Sequence, residues 1–321
     1  MSENPEVKKE EKKSKLENKF KLFPIIKEEI LTLADVKEKS GWSISAFNLP
    51  EIWKHCAGEG VVVAVVDCGC QLDHPCLINN LVPGKNFICP GKEPWDDSVL
   101  GHGTHVAGII CGQCGIGVAE KAKVMPIKVL DKYGSGSYGI VADGIRWAVD
   151  NGADIICLSL GSPNPIQQVR KAIQYAHKRN IPVFVAAGNS GFTSDVFYPA
   201  AYPETIAIGS IDENLDRSQF SCTGKNLDFM APGEKILSTV PKNWYAMLSG
   251  TSMATPWVAG IAALLLSAHK QKKLNFPLTT VRDYYKAFKN HTTPIKDQLK
   301  DKSFYQGFGI IDPQQLLEHL H

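Results

Sequence analysis

Residues 257–268, Trp-Val-Ala-Gly-Ile-Ala-Ala-Leu-Leu-Leu-Ser-Ala, are almost wholly apolar or small. A helix of that composition has no polar face, so it must be wrapped by protein on every side. It is too short to span a bilayer, which needs about 20 apolar residues. The chain must therefore supply enough other elements to enclose it. With 321 residues, 44% of them apolar, it is long enough for one large domain plus a tail. The segment before the helix, Gly250-Thr-Ser-Met-Ala-Thr-Pro256, puts a single hydroxyl, Ser252, where a loop turns into that helix. Pro256 is expected in the first turn, where its missing N–H costs nothing. A helix N-terminus favours developing negative charge, so a serine held there is well placed as a nucleophile.

A serine nucleophile needs a base, and the base an orienting acid. Residues 61–67, Val-Val-Val-Ala-Val-Val-Asp, read as a buried strand with Asp67 at its C-terminal end. Residues 101–108, Gly-His-Gly-Thr-His-Val-Ala-Gly, put His102 at the start of a helix. Further apolar runs at 123–129, 154–160, 181–187 and 205–211 alternate with helical patterns. Ile166, Val169, Ile173 and Ala176 share one face, and Ile140, Ile145 and Ala148 another. Such alternation predicts a parallel sheet with helices on both faces. Sites in sheets of this kind form beyond the strand C-termini, where Asp67, Leu160-Gly161 and Asn189 all fall.

In the order Asp67, His102, Ser252, these three motifs closely resemble the active-site motifs of subtilisin-like serine proteases. Similarity runs from about Trp42 to Gln315 and takes in Ala186-Ala-Gly-Asn-Ser-Gly191, Asp228-Phe-Met-Ala-Pro-Gly233 and Gly307-Phe-Gly-Ile-Ile-Asp312. The resemblance implies an α/β, three-layer subtilisin-like fold with a mostly parallel central sheet. It also implies a serine endopeptidase working through an acyl-enzyme, with Asp67, His102 and Ser252 as its triad and Asn189 as an oxyanion donor. By the same resemblance Gly134-Ser135-Gly136 and Ser159-Leu160-Gly161 would bind substrate as an extended strand, while His105 is structural. A catalytically inactive peptide-binding protein is the alternative; it would lack a triad or oxyanion residue, and each is present.

Three positions depart from the family. Cys76 stands where many relatives carry a calcium-ligating Asp, and the loop after Cys111 is shorter, so the tight calcium site is expected to be missing. Asp228, with the carbonyls of Ala200, Tyr202 and Thr205, leaves room for weakly bound calcium or sodium; no cofactor is required. Trp257 replaces the usual His, and Phe197 with the 190–198 loop is expected to fill part of the pocket for the residue before the scissile bond.

Residues 1–21 are rich in Lys and Glu and read as disordered, within an N-terminal extension of residues 1–40; residues 41–321 form the catalytic domain. The N-terminus has no apolar signal-like region, and nine cysteines, an odd number, read as reduced thiols. Both point to the cytoplasm; secretion by another route is the competing expectation. Cys111 and Cys114 form a C-x-x-C without a second pair at zinc spacing. A net charge of +2 gives no pull toward nucleic acid or membranes. Expected partners are polypeptide substrates and, left open, a second copy as a homodimer. Leu22-Phe-Pro-Ile25 resembles the Leu-Ile-Pro-Tyr motif by which the intracellular members of the family, to which this chain is most similar, block their own cleft. Leu22, Phe23 and Pro24 are thus expected to be autoinhibitory, in a chain made as a zymogen.

Overall fold

The computed structural model describes residues 19–38, 41–295 and 302–318. Residues 1–18 lie outside the described residues. Lys19–Lys21 (β1) form a strand, as do Ile26–Leu31 (β2), so order begins before residue 22. The alternation Lys-Phe-Lys-Leu at 19–22 is a period-two pattern that charge-rich composition masks.

The core strands are Val62–Asp67 (β3), Lys85–Asn86 (β4), Lys123–Lys128 (β5), Ile155–Leu158 (β7), Val183–Ala186 (β8), Ile206–Ile211 (β9) and Phe229–Pro232 (β10). Ser135–Ser137 (β6) stands apart and pairs with β1. Thr292–Thr293 (β13) and Ile310–Ile311 (β14) complete a nine-stranded sheet in the order β13-β14-β10-β9-β8-β7-β3-β5-β4. Its pairings are parallel except β13 with β14. Valines dominate β3 because a β-branched side chain fits a strand covered on both faces. β3 pairs with β5 on one side and β7 on the other. The chain reverses its direction of winding there, so the crevice at the end of β3 is where a site is expected.

The long helices are His102–Cys111 (α1), Tyr138–Asp150 (α2), Gln167–His177 (α3), Thr251–Lys270 (α4) and Val281–Asn290 (α5). α1 and α4 pack on each other and on the sheet, and α2 and α3 form a second such pair. The Ser137 hydroxyl caps α2 by accepting the Ile140 N–H at 3.3 Å. α4 is long and apolar enough to cross a membrane, and its residues 251–268 are all buried within the protein.

α4 also corrects one expectation. It begins at Thr251, so Pro256 lies inside the helix rather than in its first turn. The missing N–H leaves the Ser252 carbonyl without its helical partner. The Ser159 hydroxyl donates to that carbonyl at 2.9 Å and fills the gap. Trp257 is buried, edge-on to Phe47, with its indole N–H donating to the Ser43 carbonyl.

Ile236–Val240 (β11) and Trp244–Ser249 (β12) form a hairpin that runs directly into Gly250 and Ser252. β2 adds to its edge, with Tyr245 opposite Leu31 and Ser249 opposite Ile26. The two N-terminal strands therefore join different parts of the domain, β1 pairing with β6 and β2 with β12, which leads into α4.

Candidate active site

Asp67 ends β3 and is fully buried. Its Oδ1 accepts the Cys68 N–H at 2.7 Å and faces Nδ1 of the fully buried His102 at 2.8 Å. A carboxylate accepts here, so Nδ1 is the donor, and in the neutral ring the lone pair then sits on Nε2. Nε2 has no hydrogen-bond partner among the described residues. An imidazole held in this tautomer, with its free nitrogen facing away from the acid, is arranged as a base.

Ser252 is the second residue of α4, also fully buried. Its hydroxyl donates to the Ser159 carbonyl at 3.3 Å and not to His102. Asn189 follows the end of β8. Its Oδ1 accepts both the Thr251 N–H at 2.9 Å and the Thr251 hydroxyl at 2.7 Å. These two bonds assign the oxygen and turn the Nδ2 donor into the cleft. Nδ2 donates to the carbonyl of Pro24 at 2.8 Å.

The cleft is occupied by the chain itself. Lys19, Phe20 and Lys21 pair antiparallel with Ser137, Gly136 and Ser135. Lys21 also bridges antiparallel to Gly161, and the Leu22 N–H donates to the Gly134 carbonyl at 2.9 Å. The two segments that resemblance marks for substrate thus flank one extended strand. Gly134 has φ of +70°, and a side chain there would meet Leu22. Any side chain at Gly161 would strike the Phe23 ring. That ring is nearly buried and stands edge-on to Phe197 at 5.6 Å. Phe20 is fully buried, edge-on to Tyr138 at 5.0 Å.

A family model, the subtilase family, matches residues 58–309. The major intracellular serine protease of Bacillus subtilis (strain 168) is 40% identical over 276 residues, 81% of this chain and 85% of that protein. The intracellular serine protease of Paenibacillus polymyxa is 42% identical over 234 residues, 69% and 71% of the two chains. Thermitase of Thermoactinomyces vulgaris is 44% identical over 223 residues, 68% and 79%. The chain belongs to the subtilase family. It is a serine-type endopeptidase by class.

In this subtilase His105 lies one helical turn from His102 and is fully buried, its Nε2 facing the Ala246 carbonyl at 3.0 Å. Burial pulls its pKa down to about 3, so the ring is neutral and ties α1 to β12. Among the groups that the resemblance marks for a weak cation, Asp228 has protein partners. Asp228 accepts from the Ala207 N–H at 2.8 Å and the Tyr285 hydroxyl at 3.1 Å, and burial raises its pKa to about 6. The Pro199, Ala200 and Tyr202 carbonyls converge on the Thr205 hydroxyl at 3.1, 3.0 and 2.8 Å and share its single proton. At Cys76 the thiol sits against Cys114 and Tyr245. Among the described residues no group of three or more His, Cys, Asp or Glu could hold a metal. Cys76 offers sulfur where a hard cation prefers oxygen, so that position does not fit a calcium ligand.

Sequence reading missed Phe20, Tyr138, Thr251 and the Ser159 hydroxyl. Phe20 was legible in its alternating pattern. Thr251 and Ser159 matter only through contacts that join distant elements, which no local pattern carries.

Proposed function

We propose that this subtilase hydrolyses peptide bonds in polypeptides through Asp67, His102 and Ser252, and that it is made as a zymogen blocked by its own N-terminal extension. His102 Nε2 takes the Ser252 proton as the hydroxyl attacks the scissile carbonyl, then returns it to the leaving amine. Asp67 holds the imidazole and stabilises its charged form. The oxyanion is met by Asn189 Nδ2 and the Ser252 backbone N–H at the start of α4.

The bond from Asn189 Nδ2 to the Pro24 carbonyl carries the zymogen reading. Phe23 fills the pocket beside Gly161 and Phe197, and a productive substrate would present the carbonyl of that same residue to the oxyanion donors. Here the carbonyl offered belongs to the next residue, Pro24. The Ser252 hydroxyl is turned to the Ser159 carbonyl instead of to His102. A strand bound like substrate but out of register for attack inhibits without being cut quickly. Pro24 contributes through its fixed φ and absent N–H. Relatives named as intracellular proteases and the cysteine-rich, disulfide-free chain support work in the cytoplasm.

The test compares full-length protein, Pro24→Ala, a form lacking residues 1–40, and Ser252→Ala, each on casein. Full-length protein should show a lag, Pro24→Ala a shorter one, and the truncated form none. Ser252→Ala should be folded and inert. Equal activity of full-length and truncated protein from the first seconds would sink the zymogen reading. Turnover near wild type in homogeneous Ser252→Ala would sink the nucleophile.

A further inference from the structure

Two cysteines that the catalytic machinery does not use meet at the far side of α1. Cys76 and Cys114 come from segments 38 residues apart, and their sulfurs lie 2.7 Å from each other. The backbone holds them there from both sides. The Cys76 N–H donates to His74 Nδ1 at 3.2 Å, and the Cys76 carbonyl accepts the Gln113 N–H at 2.8 Å. Cys114 has φ of +76°, a left-handed conformation that a residue with a β-carbon resists. The next residue, Gly115, is fixed by its N–H bond to Glu120 at 2.7 Å. A turn that holds a non-glycine residue in this conformation is over-determined by its surroundings, and it delivers the Cys114 sulfur to Cys76.

We propose that Cys76 and Cys114 are a thiol–disulfide site, closed by exchange with a small-molecule disulfide such as oxidised glutathione. Cys114 is exposed and Cys76 is buried behind it. The Cys114 thiolate attacks one sulfur of the oxidant, and one small thiol leaves. Cys76 then attacks the Cys114 sulfur of the mixed disulfide, and the second small thiol leaves. The two protein thiols give up two electrons and two protons, and the oxidant is reduced to two thiols.

The neighbouring groups favour this pair over the C-x-x-C partner. Cys111 is the last residue of α1, fully buried, and burial pushes its thiol up to about 12. At Cys76 the Tyr245 hydroxyl lies 3.0 Å from the sulfur, and burial keeps that phenol protonated. It can therefore donate to the Cys76 thiolate as the second step begins. The bond closes a loop that contains His102 and all of α1, so it restricts the unfolded chain more than the native one.

Full-length Ser252→Ala, chosen to prevent self-digestion, is equilibrated in reduced or oxidised glutathione. Oxidation should lower the thiols counted in denaturant from nine by two, yield one linked peptide pair containing Cys76 and Cys114, and raise the melting temperature by on the order of 5 °C. Cys114→Ser, at the exposed position, should abolish both the linked pair and the shift, and Cys76→Ser should do the same. If Cys76→Ser fails to fold, the Cys114→Ser result still decides. Nine thiols after oxidation, or a link between Cys111 and Cys114, would overturn the proposal.

Discussion

Two buried side chains in this subtilase illustrate how one residue type is sent to different work. His102 and His105 share a face of α1, but His102 faces a carboxylate and His105 a backbone carbonyl. Burial holds His105 neutral down to about pH 3, whereas an unfolded histidine protonates near 6.5. Between those values the unfolded chain binds more protons than the folded one. Stability therefore falls as the pH drops from about 6.5 toward 3. Replacing His105 by Gln should flatten this part of the stability–pH curve, measured by urea unfolding at a series of pH values. An unchanged slope would show that other groups govern acid unfolding. Asn189 makes a second case. Thr251 fixes its orientation, so Asn189→Ala should lower kcat by roughly 10²–10³ with little change in KM, the size of loss that removal of such a donor brings in subtilisin. A change confined to KM would argue against an oxyanion role.

At the scale of elements, α4 depends on a side chain from another segment. Pro256 deprives the Ser252 carbonyl of its helical bond, and the Ser159 hydroxyl replaces it. Ser159→Ala should therefore cost about 1–3 kcal/mol, the penalty of leaving one buried acceptor unsatisfied, read from denaturant unfolding. An effect near zero would mean the carbonyl finds another donor. This coupling also marks where sequence reading stops. The strands β3, β5, β7, β8 and β9 and the helices α1 to α4 were legible, because each has a periodic apolar pattern or a run of β-branched residues. Asp67, His102, Ser252 and Asn189 could be placed because each sits at the end of such an element. Pro256 was misplaced by a turn, because a helix boundary depends on caps and on the tertiary partner that tolerates the proline. β1 was hidden because it is short and its two lysines are exposed, so a charge-rich composition masks the single buried Phe20.

For the whole molecule, the tie between the loop after α1 and the Cys76 segment is made by thiols, a phenol and backbone groups rather than by carboxylates. Asp228 is likewise committed to an N–H and a hydroxyl. With Cys76 in place of a carboxylate, EDTA should not strongly lower the melting temperature. A drop of several degrees, reversed by added calcium, would show that a cation completes one of these places.

The segment in the cleft is anchored on both sides, by β1 before Pro24 and by β2 after it. If that segment blocks the cleft as proposed, β2 acts as a tether that keeps it at a local concentration on the order of millimolar, whatever the protein concentration outside. Diluting uncut protein a thousandfold should therefore release no activity. A single cut between Pro24 and Ile26 turns the blocking strand into a free peptide that dilution carries away. On the proposed zymogen reading, activation is a ratchet: reversible while the cut protein stays concentrated, and one-way once it is dilute. Measuring the activity of nicked protein across a dilution series would show this directly, as specific activity that climbs with dilution only after the cut.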